Sequence, residues 1–189
     1  MIKTDILIIG AGTAGYNAFR EARKTAPTAK VKLLNSGHWG TTCAMEGCMP
    51  SKLLIAAAEN AHQANISGTY GVNLEQPKID KTEVMTWMQH YRRKWAFGLH
   101  DRATQPSDNE YYLNSIQGKA SFYDRNTVVT DQRDVIEFKS AVIATGSSPF
   151  VPANLQFTKT ITTDDIFNFK RLPSRIAIVG AGVIALEFK

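Results

Sequence analysis

Apolar and polar positions alternate along this chain in rhythms that mark its elements. In "TDILIIGAGTAGYNAFREARK" a short apolar run from Asp5 to Ile9 meets glycines at 10, 12 and 15, after which Ala18 and Ala22 recur among polar residues. A brief apolar run bounded by glycine reads as a buried strand, and a spacing of four as one face of a helix. The predicted order is strand, glycine turn, helix. "AKVKLLNS" alternates Val31 and Leu33 with lysines and ends at Asn35, which reads as a second strand about twenty residues past the glycines. Strand, helix and strand in that order form a βαβ unit with a parallel pair.

Further on, "SKLLIAAAENAHQA" predicts a helix with Ser51 near its start. A second helix is predicted from about 80 to 102, where Val84, Trp87, Met88, Tyr91, Trp95 and Leu99 recur at three and four and read as a packing stripe. The short runs "KASFYD", "NTVVT", "DVIEFK" and "SAVIATG", with "DRN" and "DQRD" as hairpin turns, predict a small antiparallel layer returning into a buried strand. Residues 149–173 hold the prolines and the weak periodicity of a linker, with one helical turn at about 164–169. Then "RIAIVGAGVIALEFK" repeats the opening: a strand over 175–179, Gly180, Gly182, and Ala185 where the first copy has Gly15. A βαβ crossover takes about 30 residues or more, so 174–189 reads as the truncated start of a second such unit, and the chain as the front part of a longer design. The fold class is α/β. Residues 1–148 form a Rossmann-like domain with a parallel sheet, a helical layer and a small antiparallel meander.

Composition narrows the function classes. Of 189 residues 43% are hydrophobic, ordinary for a globular protein, and the first apolar run is too short for a signal peptide or a membrane span. The cytoplasm is the expected compartment. A net charge of +5 could suit an acidic partner, but the basic residues are interleaved with acidic ones. The local cluster "HYRRKW" at 90–95 reads as the wet face of a helix. Nucleic acid is not expected as a partner. His38, His62, His90 and His100 show no paired spacing, and no metal site is expected.

The glycine turns bring the first chemistry. Such a turn lets backbone approach a pyrophosphate while the free amides and positive dipole end of the helix face its charge. Gly10 makes the tight turn, Gly12 the close approach and Gly15 the helix-to-strand contact. Two such turns about 170 residues apart imply two nucleotides. Asn35 stands where an Asp or Glu would accept from a ribose; an amide oxygen still accepts, with about 1 kcal/mol less affinity.

Cys43 and Cys48 are the only cysteines, and both lie in "GTTCAMEGCMPSK". Three readings stand beside one another: half of a zinc site, two inert thiols, or a reversible disulfide formed where the chain curls at the start of a helix. For the last, Gly47 supplies freedom, Pro50 suits a first helical turn, and the helix dipole lowers a thiol pKa. A low-pKa pair beside a nucleotide cofactor would be a two-electron relay.

The cysteine segment closely resembles the redox-active disulfide segment of the flavoprotein disulfide reductases, the pyridine nucleotide-disulfide oxidoreductases, and is most like that of dihydrolipoamide dehydrogenase. "GAGTAG", "GKASF" at 118–122, "ATGSSP" at 144–149 and "GAGVIALE" at 180–187 agree in kind and order. The resemblance covers essentially the whole chain. It implies FAD on the first unit, NAD(P) on the second, and a dithiol or disulfide substrate, either a small molecule or a lipoyl domain. It makes Cys43 the thiol that exchanges with substrate and Cys48 the one against the flavin, with Lys52 beside the flavin and paired to Glu187. It places Gly10, Gly12, Thr13, Ala14, Gly15, Asn35, Gly40, Thr42, Lys52, Gly118, Ala120, Ala144, Thr145 and Gly146 along FAD, and Gly180, Gly182 and Ala185 along an incomplete NAD(P) site.

Departures from the family pattern are Thr41 for a glycine, Val183 for a tyrosine common over the nicotinamide pocket, and Glu46 between the cysteines, whose charge is expected to raise a thiol pKa. The family's catalytic histidine comes from a C-terminal interface domain, so these 189 residues are expected to be catalytically incomplete and homodimeric only within a full-length parent. Glutathione or mercuric reductase types, and a non-catalytic nucleotide-binding module, are the alternative readings.

Overall fold

The computed structural model describes residues 1–104, 108–156 and 159–188, apart from the side chain of Leu99. In chain order its elements are β1 (Ile2–Ile9), α1 (Thr13–Thr25), β2 (Val31–Asn35), α2 (Thr42–Met45), α3 (Cys48–Ile66), α4 (Lys81–Thr104), α5 (Glu110–Asn114), β3 (Ser115–Gln117), β4 (Ala120–Phe122), β5 (Thr127–Thr130), β6 (Val135–Ile143), α6 (Thr163–Ile166) and α7 (Val183–Glu187). They fall into two compact units, one of residues 1–42 and 96–148, the other of residues 43–95 and 149–189.

The first unit is built on a six-stranded sheet in the order β3-β2-β1-β6-β5-β4. Strand β1 lies between two parallel neighbours, with Ile8 opposite Leu33 of β2 and Val142 of β6. Because successive side chains point to opposite faces, Ile8 enters one core with Phe19, Val31, Leu33 and Trp39. Leu7 and Ile9 enter the other with Leu34, Val128, Ile136 and Phe138. Leu7, Ile8 and Phe19 are completely buried, each contributing about 1.5–3 kcal/mol relative to exposure. The inward face of α1 is Gly15, Tyr16 and Phe19; Ala18 and Ala22 lie at its margin. Burial pushes the Tyr16 phenol up to about 12, helped by Tyr111.

The sheet corrects two expectations. "DVIEFK" and "SAVIATG" form one nine-residue strand, β6, because no turn residue interrupts them and β1 pairs along their length. The antiparallel strands are no separate layer: Ile136 faces Ile2 across a parallel pair and Val128 across an antiparallel one, so the meander extends the same mixed sheet. The short elements α5 and β3, five and three residues long, leave no period in the sequence.

In the second unit a core of Leu53, Met85, Met88, Ile166 and Phe167 joins α3, α4 and α6. Thr162 caps α6: its backbone N–H donates to Asp165 Oδ2 at 2.8 Å, and its hydroxyl accepts from the Asp164 N–H. Helix α4 is turned relative to the expected stripe. Met88 of that stripe is buried as expected, but beside it Met85 and Arg92 are buried too, whereas Trp87 and Trp95 are 40% and 43% exposed and form with Tyr91 an outer ladder, rings 5.4 and 6.1 Å apart. The expected Leu99 contact lies outside the described side chains. "HYRRKW" is likewise only partly wet, because Arg92 points inward.

The expected strand over 175–179 is not formed. No strand among the described residues pairs with it, and Ile176, Ile178 and Val179 stay 45%, 39% and 77% exposed. Without a neighbour to take its N–H and C=O groups an apolar run has nothing to make it a strand.

Candidate functional site

The first glycine turn is held from within. Gly10 has φ +106°, and a Cβ there would lie 2.2 Å from the Ala144 carbonyl oxygen. A Cβ on Gly15 would lie 1.8 Å from the Gly10 carbonyl oxygen. Those two glycines therefore let α1 and β6 close on the end of β1, which the Ala144 N–H ties by donating to the Ile9 carbonyl at 2.8 Å. Gly12 differs: no heavy atom lies within 4 Å of where its Cβ would be. It caps α1 without any side-chain hydrogen bond, and the first turn holds no acidic residue. Thr13 and Ala14 are exposed. The result is an open helix start with its dipole uncompensated, suited to an anion such as a pyrophosphate.

Asn35 closes the same turn. Its Oδ1 accepts from the Ala11 N–H at 3.2 Å, and its Nδ2 donates to the carbonyls of Gly37 and His38. Gly118, at φ +157°, donates its N–H to the Asn35 carbonyl at 2.8 Å. In this unit, then, the structure brings together Gly10, Gly12, Gly15, Asn35, Gly118, Ala144 and Thr145. Ala120 is half-buried in β4; Gly40 and Gly146 have positive φ, Gly146 faces open space, and Thr42 is exposed at the start of α2.

The cysteines lie in the second unit. Cys43 is half-buried in α2, Cys48 is exposed at the first position of α3, and both are free thiols. Gly47 caps α3 with no side-chain hydrogen bond and Pro50 is buried in its first turn. The Cys43 thiol is hydrogen-bonded to Cys48, and that bond, followed by burial, pushes its pKa above the ordinary thiol value. This corrects two expectations. Cys43 is not a low-pKa thiol in the reduced pair, and Glu46 is not what raises it: the charge that Glu46 acts upon is Arg92.

The Lys52 ammonium and the Glu187 carboxylate form an ion pair. Lys52 first, then Ser51, holds the Glu187 carboxyl below its ordinary value. The second glycine turn precedes α7: Gly180 has φ +132°, Gly182 caps the helix without a side-chain bond, and Ala185 is half-buried. Neither glycine has a heavy atom within 4 Å of a Cβ position.

Residues 4–189 match the family described as pyridine nucleotide-disulphide oxidoreductase. The chain belongs to that family. Across 98% of its length it is 32% identical to dihydrolipoyl dehydrogenase of Geobacillus stearothermophilus. Across 97% it is 30% identical to mercuric reductase of Lysinibacillus sphaericus. It spans 39% and 33% of those two proteins. In fold it is similar to the HOCl-induced flavoprotein disulfide reductase RclA of Escherichia coli in its Cu(II) complex, with a TM-score of 0.77 at 22% identity over 100% of this chain and 39% of that one.

For a pyridine nucleotide-disulphide oxidoreductase, two residues near the cysteines take parts that the sequence does not assign them. Arg92 is 6% exposed; it donates to the Met45 carbonyl at 3.3 Å and to Asn168 Oδ1 at 2.9 Å. Ser51, also buried, donates to the Cys48 carbonyl at 3.2 Å. Arg92 falls in the row of Met85 and Met88, but no local pattern marks the Met45 carbonyl and the Asn168 side chain that it meets. Among the described residues no group of three or more His, Cys, Asp and Glu could hold a metal, and no helix is long and apolar enough to cross a membrane.

Proposed function

We propose that this chain is the FAD-binding portion of a flavoprotein disulfide oxidoreductase resembling dihydrolipoyl dehydrogenase, in which Cys43 and Cys48 cycle between dithiol and disulfide. The observation that carries it is the pair itself: two free thiols on either side of the break between α2 and α3, Cys48 at the uncapped start of α3 and Cys43 under its influence, in a chain of this family. Residues 1–148 would be the FAD-binding domain, 149–173 a linker, and 174–189 the beginning of the NAD(P)-binding domain, with Gly180, Gly182 and Ala185 at its nucleotide turn.

The residues of the first turn fit FAD. A Cβ on Gly12 would project into space that no protein atom fills, and α1 begins with neither a capping side chain nor a carboxylate. Thr13 and Ala14 would offer amides to the pyrophosphate, Gly118 and Ala120 would border the adenine, and Gly40, Thr42, Thr145 and Gly146 would line the rest. Asn35 keeps one carbonyl lone pair for a ribose hydroxyl while its amide holds the turn. FAD, when bound, supplies a two-electron store that exchanges with NAD(P).

The chemistry of the chain's own residues is thiol exchange. A substrate thiolate attacks the Cys43 sulfur of the Cys43–Cys48 disulfide and forms a mixed disulfide, releasing Cys48 as thiolate. The second substrate thiol displaces Cys43, leaving an oxidised substrate and a reduced pair, with two electrons transferred. In the reverse direction the raised pKa of Cys43 limits its thiolate fraction at neutral pH. Lys52, held by Glu187, would place a cation beside the flavin. A dithiol or a lipoyl domain would be the partner, the full-length protein a homodimer, and the cytoplasm its compartment.

The test has two parts. The purified chain is mixed with FAD and freed of unbound flavin by gel filtration; retained flavin is expected if these residues suffice for the site, and no retained flavin would refute the reading that they hold FAD by themselves. The oxidised chain is then treated with a dithiol and alkylated: both thiols should become blocked together. A chain that never forms the Cys43–Cys48 disulfide would end the redox reading.

A further inference from the structure

The mechanism leaves one buried charge without a role. Arg92 is more than nine-tenths buried in a row otherwise made of Met85, Met88 and Ala96, and its Nε has no hydrogen-bond partner among the described residues. For packing alone an apolar side chain would serve as well or better, since a buried guanidinium carries a desolvation cost that incomplete pairing does not return. What an apolar residue cannot do is bridge two acceptors on separate segments, and Arg92 does so: Nη1 donates to the Met45 carbonyl, Nη2 to the Asn168 side chain.

Met45 is the last residue of α2 and lies between the two cysteines. The last carbonyls of a helix have no partner within it. If α2 instead ran on into α3, Cys43 and Cys48 would be five residues apart on one helix, separated by about 7.5 Å along its axis and on different faces. That separation exceeds the roughly 4.4–6.8 Å between Cα atoms that a disulfide accepts. The break at Glu46 and Gly47 is therefore what lets the two sulfurs meet, and the Met45 carbonyl is the group that the break leaves open.

We propose that Arg92 is a positioning residue for the cysteine pair: by taking the terminal carbonyl of α2 it holds the chain broken between the cysteines and so favours their disulfide. The inference rests on the redox reading of Cys43 and Cys48. Its sense is specific. Loss of the latch lowers the effective concentration of one thiol at the other, so the disulfide becomes easier to reduce. A cation acting on a thiolate would do the reverse, since losing it would destabilise the reduced form.

The experiment equilibrates the whole chain with graded ratios of reduced and oxidised dithiothreitol, and reads the dithiol fraction by alkylation and mass. Each event converts one protein disulfide and one reagent dithiol into two protein thiols and a cyclic disulfide, with two electrons and two protons conserved. Arg92→Met is expected to lower the equilibrium constant for disulfide formation about tenfold, or about 30 mV for this two-electron couple. Arg92→Lys should shift it in the same direction, because an ammonium keeps the charge but not the fork. Asn168→Ala, which removes only the second anchor, should shift it about threefold by partial loss of the same constraint. Met88→Ala loosens the same core without touching the latch and should leave the constant unchanged.

An unshifted or opposite response to Arg92→Met, recovery in Arg92→Lys, or an equal shift in Met88→Ala would each overturn the proposal. Should Arg92→Met not fold, Asn168→Ala decides it alone, and no shift there refutes it. If the parent chain forms no Cys43–Cys48 disulfide at any ratio, the redox reading and this inference fall together, an outcome distinct from all the others.

Discussion

The chain spells nearly the same phrase twice, "ILIIGAGTAG" at the start and "IAIVGAGVIA" near the end, and the two copies adopt different local structures. In the first, β1 has parallel neighbours on both sides and α1 runs for thirteen residues. Its first and third glycines are pressed against backbone at distances no side chain tolerates. In the second, residues 175–179 pair with no strand among the described residues, α7 has five residues, and Gly180 and Gly182 border open space. Spelling supplies a glycine's freedom; whether that freedom is used depends on what packs against the turn.

A methyl group at matched places separates the two turns. Gly15→Ala drives a Cβ into the Gly10 carbonyl, so backbone must move. We expect a loss of about 3 kcal/mol, with a fall in Tm of roughly 6–12 °C in thermal unfolding. Gly182→Ala has φ −77° and nothing within 4 Å, so its stability should stay within about 0.5 kcal/mol of the parent, or rise slightly as the unfolded chain loses freedom. Equal losses at both positions would show that the second turn is packed like the first.

Within the first turn Gly12 sharpens the contrast between fold and ligand. Its φ is −73° and its Cβ direction is empty, so Gly12→Ala should leave Tm unchanged or slightly raised. Yet the added methyl would occupy the place proposed for the pyrophosphate. FAD affinity, read by fluorescence titration, should fall about tenfold, or 1.4 kcal/mol. Unchanged affinity would move the nucleotide away from this turn.

These contrasts also locate what sequence could and could not say. Strands β1 and β2 were legible because their apolar runs end at glycines and at Asn35. The same cue misled at 175–179, because a strand needs a partner and a one-dimensional pattern does not report one. On α4 the expected stripe takes Met88 together with Val84, Trp87, Tyr91 and Trp95, whereas the buried row is 85/88/92/96, adjacent positions being about 100° apart. Hydropathy favours the row with three aromatics over the one with an arginine. What buries Arg92 is a carbonyl at Met45 and an amide at Asn168, both distant in sequence, and no local pattern announces them. The cysteine pair was legible as a motif, but its raised pKa follows from one thiol bonding the other, which only the folded turn shows.

The smallest expected effect concerns what holds each turn. The first is tied by backbone groups that do not titrate: the Gly10 N–H donates to the Leu34 carbonyl and the Ala144 N–H to the Ile9 carbonyl. In the second unit α7 carries Glu187, paired to Lys52 of α3, and that pair does titrate. Lys52, then Ser51, holds the folded-state pKa of Glu187 below its ordinary 4.5. The stabilisation is therefore fully present above the unfolded value and is lost as pH falls through the lowered folded one. Both side chains meet solvent, so the effect is local and weakens with salt. The Leu186 amide, which donates to the Gly182 carbonyl, should become less protected in hydrogen exchange once the pH is taken below the carboxylate range, after correction for intrinsic rates. In Glu187→Gln it should already be less protected at neutral pH and show no further change on acidification, while the Gly10 amide behaves alike in both proteins. A Leu186 amide insensitive to both acid and substitution would mean that packing, not the ion pair, holds the second turn, and the contrast between the two copies would then reduce to their strands.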